Sequence, residues 1–168
     1  ADLRGANLTG VYLTNANLTN ADLRGANLRD ANPTNSNMSD SNLYGVTLRD
    51  ANLFGANLER TFLRGANLTG ANFYTVNLSE ASLSEASLSE ANLTAVNLYG
   101  ANLTNADLTG SKLFLANLAL ANLTGANLTD ANLEGAVLTG AILTGAVLKG
   151  SILTDAVLTD ANLADARR

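Results

Sequence analysis

From Leu3 to Leu163 every fifth residue is an inward-type residue, and thirty of these thirty-three positions are Leu; the others are Pro33, Met38 and Phe73. Nothing is inserted between the units. A period this strict constrains the fold more than any single motif could, because it means one small unit stacked on copies of itself. The residue two places before each Leu is Ala in twenty-four of the units and otherwise Val, Ser or Thr, as at Val11, Ser36 and Thr61. Two apolar positions separated by one polar position lie on the same side of an extended chain.

Alternation alone would flip this pattern in each new five-residue unit, so a turn must reset it. The fifth position supplies the turn. All 14 Gly lie there, with Asn15, Asn20, Asn35, Asn105 and seven Asp. These residues tolerate positive φ or bond locally to the backbone. A helix is excluded, since a five-residue period leaves no fixed apolar face at 3.6 residues per turn. The expectation is an all-β chain of three-residue strands and corners, winding into a coil whose turns stack as parallel ladders.

The phrases ANLTG and ADLRG and their variants resemble the pentapeptide-repeat proteins, whose consensus is A-(D/N)-L-x-x. The resemblance covers the whole chain, 1–168, read as a single domain. It implies a right-handed quadrilateral parallel β-helix, a solenoid of about eight coils of four pentapeptides. At a ~4.8 Å strand spacing such a rod is about 40 Å long.

The chain contains no Cys, His or Trp. The usual general base, the thiolate nucleophile and the commonest metal ligands are therefore missing, and no catalytic, cofactor or metal site is expected. Glu80, Glu85 and Glu90 occupy three consecutive corners, which should face different sides and hold no ion together. No apolar run approaches the length of a membrane span, and nothing has the make-up of a signal peptide. A cytoplasmic location is expected. A net charge of −5 with only ten Lys and Arg argues against direct nucleic-acid binding.

With four units to a coil, residues twenty apart become stacked neighbours, and departures from the consensus can be placed. Arg4, Arg24 and Arg64 share one outward column, and Arg29 and Arg49 share the next. Pro33 removes a ladder donor and should leave a missing bond, with local weakness or a bulge. Phe54 and Tyr74 should lie on adjacent coils of one side, with Tyr12 and Phe114 on the same side and Phe73 pointing inward. Leu115 and Leu120 stand at corners where Gly, Asn or Asp is usual, so Phe54, Tyr74, Phe114, Leu115 and Leu120 form a candidate partner surface. Val137, Ile142, Val147, Ile152 and Val157 replace the outward Asn in five successive units. This belt suits a C-terminal interface, with a second copy or a neighbouring domain, although strand propensity alone could also favour it.

Residues 1–65 carry six basic and six acidic side chains, whereas residues 66–165 carry two and nine. Two functions follow. The first is a non-catalytic rigid scaffold that binds an unidentified protein partner. The second is implied by the resemblance, since some pentapeptide-repeat proteins mimic duplex DNA, bind DNA gyrase as inhibitors and protect it from quinolones. Duplex DNA would present about fifteen charges over the ~25 Å that the acidic part should span, against nine acids here.

Overall fold

A computed structural model describes residues 1–168. Each five-residue unit contributes one extended residue at its second position and a turn at its fourth and fifth. The turn is closed by a bond from the N–H of the next unit's first residue to the carbonyl of the Leu, as from Ala126 to Leu123 at 3.0 Å. Every fifth-position residue has positive φ, 52° to 61° for the nineteen that are not Gly and 62° to 68° for Gly. A positive φ at the third residue of a four-residue turn, with none at the second, is the type II pattern. The turn therefore explains where the Gly, Asn and Asp lie.

The second-position residues pair in parallel, always with the residue twenty places on. Four units thus complete one coil, and four ladders run along the molecule. They are named here by their first residues as the Asp2, Asn7, Tyr12 and Asn17 ladders. A typical unit donates three backbone bonds to the adjacent coils, for example Leu123 N to Ile142 O (2.7 Å), Gly125 N to Thr144 O (2.9 Å) and Asn122 N to Ala101 O (2.9 Å).

The first and third positions point inward. Forty-seven buried residues from Ala21 to Leu148 form one continuous core, and Phe73 belongs to it. Leu and Ala dominate because the space inside a coil admits one large and one small side chain per unit. At the two ends, Leu3, Leu8, Leu153 and Leu163 are only partly buried. Serine at the small inward position brings a cost. The hydroxyls of Ser36, Ser41 and Ser111 are buried without a partner, whereas those of Thr61 and Ser151 donate to the carbonyls of Leu58 and Leu148 at 2.8 Å.

Pro33 has the expected effect on bonding but not on shape. The pairing between Asn32 and Asn52 is absent while both neighbouring pairings in that ladder are kept. The expected bulge does not form. Asn52 N still reaches Ala31 O at 2.9 Å, Asn35 N reaches Phe54 O at 2.9 Å, and the turn from Ser36 to Pro33 closes at 3.0 Å. The φ that proline fixes is compatible with an extended strand, so only its missing N–H is felt.

Candidate interaction surface

One backbone donor per unit, at the fourth position, has no place in the ladders. The second-position side chain takes it. All twenty-two Asn and Asp at that position accept the N–H two residues on, at 3.0–3.3 Å. The consensus Asn is therefore a turn cap as well as a surface residue. This role was not drawn from the repeat, although a polar residue two places before each turn was the available signal.

On the Asn17 ladder the same amides also bond to each other. Asn57, Asn77, Asn97 and Asn117 each donate Nδ2 to the Oδ1 of the Asn one coil earlier, at 3.0–3.3 Å. This ladder reads Asn17, Asn37, Asn57, Asn77, Asn97, Asn117, Val137, Val157 and carries no charge at its outward position. It is flanked on both sides by exposed apolar residues.

One flank holds Phe54, Tyr74, Phe114 and Leu115. Phe54 and Tyr74 stack with ring centroids 5.7 Å apart and planes 24° apart. Phe114 lies two coils beyond Tyr74, with Thr94 between. The other flank holds Leu120 together with Tyr99, which sequence reasoning did not single out. Leu115 and Leu120 are 55% and 54% exposed, and both hold a left-handed backbone at φ 56° and 59°. That conformation costs a residue with a Cβ roughly 1–2 kcal/mol. From Thr94 to Leu120 the ladder and its two flanks contain no charged side chain.

The Val/Ile belt divides. Val137 and Val157 are neighbours on the Asn17 ladder and extend its uncharged stretch. Ile142, Val147 and Ile152 lie on the Asp2, Asn7 and Tyr12 ladders and face three other directions. None of the five can cap a turn, so the amides of Thr139, Thr144, Lys149, Thr154 and Thr159 receive no protein acceptor.

Each Arg from Arg4 to Arg64 has a carboxylate partner. Arg24 holds Asp22 through two bonds at 2.8 and 2.6 Å, Arg60 holds Asp40 at 2.8 and 3.0 Å and also touches Glu59, and Arg64 reaches Glu85 at 2.9 Å. Hydrogen bonds from Arg4 hold the Asp2 carboxyl down to about 2. Those from Arg24 and Arg60 lower Asp22 and Asp40 in the same way. Further along the chain Glu80, Glu85 and Glu90 follow three different ladders, as expected. No three of the Asp and Glu side chains gather where they could hold a metal ion, and no helix is long and apolar enough to cross a membrane.

Fold and surface together define a parallel β-solenoid of five-residue units with a packed Leu/Ala interior. The family description "Pentapeptide repeats" matches it in eight copies, over residues 1–32, 16–53, 48–79, 77–113, 116–155 and 141–167. The chain belongs to the pentapeptide-repeat family, and that family indicates no enzyme. Among solved structures it is similar to HetL, a pentapeptide repeat protein involved in heterocyst differentiation regulation from the cyanobacterium Nostoc sp. strain PCC 7120. Identity is 33%, covering 99% of this chain and 86% of HetL, with a TM-score of 0.56. It is also similar to a trypsin-treated form of QnrB1, a plasmid-mediated fluoroquinolone resistance protein, at 21% identity over 95% of this chain and 84% of that one, with a TM-score of 0.73. The second likeness concerns the fold alone. No curated protein matches the sequence.

Proposed function

We propose that the protein is a non-catalytic β-helical scaffold that binds a protein partner along the C-terminal half of the Asn17 ladder. The observation that carries this reading is the uncharged stretch of ladder and flanks from Thr94 to Leu120, in which Tyr99, Phe114, Leu115 and Leu120 surround Asn97 and Asn117. Two of these residues occupy left-handed corners where Gly would be free of strain, which favours a role for their side chains. Asn77, Asn97 and Asn117 bond to one another, so a partner covering them would leave few amide groups unpaired. In this reading the coil is right-handed and four-sided, with about eight turns. The protein works in the cytoplasm and is not expected to bind nucleic acid directly. A photo-crosslinking residue at Ala119, set against one at Thr129, tests the surface in the native cell. The expected result is a defined heavier adduct from position 119 alone, lost on Leu115→Asp. The same adducts from both positions would sink the proposal.

A second reading has a specific observation behind it, the nine acids against two bases in residues 66–165. It makes the rod a DNA mimic that binds gyrase. The acids are spread over every flank: Glu80 and Asp160 on one, Glu85 and Asp165 on the next, then Glu90 and Asp130, then Glu134 and Asp155. A single negative stripe, which the mimic needs, would require them on one side. A gyrase supercoiling assay with micromolar protein separates the readings, since the scaffold leaves supercoiling unchanged.

A further inference from the structure

The one concavity of the rod lies on the Asp2 ladder. It is a shallow, open depression of about 380 Å³ lined by Arg24, Asn42, Tyr44, Phe62, Arg64 and Ser82. Gly25, Gly45 and Gly65 occupy three successive corners beside it. A methyl group added to any of them would find no atom within 4 Å. At Gly55, Gly125 or Gly140, by contrast, a corner side chain of the preceding coil fills that space.

Tyr44 and Phe62 form the apolar part, each 56% exposed. Arg24 and Arg64 stand two coils apart, about 10 Å at the ~4.8 Å spacing of neighbouring strands. Phe62 occupies a ladder position that is most often Asn or Asp, so it cannot cap the turn that follows. The Arg64 amide consequently meets no acceptor from backbone or side chain. The guanidinium of Arg64 bonds Glu85, but both side chains of that pair are more than half exposed. An exposed pair of this kind contributes little and exchanges readily. Between Asp22 and Glu85, which bound the depression, neither this ladder nor the flank that follows it carries an acid.

From this geometry we infer that the depression binds a carboxylate-bearing peptide segment of a protein partner. The carboxylate takes the Arg64 amide and guanidinium together, in the place an Asn side chain fills elsewhere on the rod. Charge-assisted bonds of this type are stronger than neutral ones. An apolar side chain beside the carboxylate covers Phe62 and Tyr44. A polyphosphate chain is disfavoured, because Asp22 and Glu85 already stand at the two arginines and the net charge is −5. The site is separate from the uncharged Asn17 ladder, so each can fail without the other.

Amide NMR titration with acetyl-Glu-Phe-Asp-Leu-amide, and with its Gln/Asn analogue, tests the inference. The expected result is a saturable shift at Tyr44, Phe62 and Arg64 with the acidic peptide only, weakened at least tenfold by Arg64→Gln. Phe62→Asn restores the turn cap, so it should fold as well as the parent and lose binding. The inference is overturned by the absence of a saturable shift, by equal shifts with the neutral peptide, or by undiminished binding to Phe62→Asn.

Discussion

A corner residue in this molecule answers to two neighbours, its own turn and the coil stacked on it. Leu120 shows both. Its backbone is left-handed, and its side chain lies over the next coil's corner, where a Cβ built on Gly140 would stand 2.7 Å from Leu120 Cδ2. Gly145 has nearly the same φ, yet a Cβ there meets nothing within 4 Å. Both Gly→Ala changes incur the left-handed penalty of roughly 1–2 kcal/mol. Gly140→Ala must in addition push Leu120 aside, so it should lower the melting temperature more than Gly145→Ala. In a Leu120→Asn background the gap should change, which thermal melts of the four proteins would show.

At the scale of the unit, the ladders tolerate the loss of one bond because each coil is held by many others. Coil 21–40 concentrates the losses. Pro33 omits a donor, the buried Ser36 hydroxyl has no partner, and Ser41 in the next coil repeats that fault. Pro33→Leu should restore the bond to the Asn52 carbonyl and add about 1 kcal/mol of stability. The checks are a higher unfolding midpoint in urea and slower amide exchange around residues 33–37. No change in either would mean that Leu does not fit between Leu13 and Leu53.

The sequence made this level legible. Leu at every fifth place sets the inside, and Gly, Asn and Asp two places later set the turn. The capping role of Asn was legible only in part, since a polar residue at the second position of most units marks an acceptor without showing that the donor two residues on lacks any other partner. The depression, too, was legible only in part. Rows of twenty put Arg24, Tyr44 and Arg64 in one column and Gly25, Gly45 and Gly65 in the next, but they do not show the hollow beside Phe62. The same rows put Leu120 on the far flank of the Asn17 ladder from Leu115, which gave that surface its second side.

Across the whole molecule, the carboxylates that arginine depresses are gathered at one end. The paired carboxylates Asp2, Asp22 and Asp40 all lie in the first forty residues, and hydrogen bonds from arginine depress each of them. A depressed folded value stabilises above the unfolded value, near 3.9, and that contribution fades as pH falls through the folded one. Asp2 should therefore titrate with a midpoint of about 2 and move up toward 3.8 in Arg4→Gln. Carboxyl carbon NMR from pH 5 to pH 1.5 reads this directly, and an unmoved midpoint in the variant would refute the assigned cause.

The register of twenty carries a consequence for how such a gene can change. Loss or duplication of five codons keeps every Leu inside and every turn intact, yet it moves all later residues one ladder sideways. Tyr99 and Leu120 would then no longer flank the same amides as Phe54 and Tyr74. Only edits of twenty codons lengthen or shorten the molecule while leaving its sides aligned. Whatever selects for one coherent side must act on reading-frame blocks four times longer than the repeat itself.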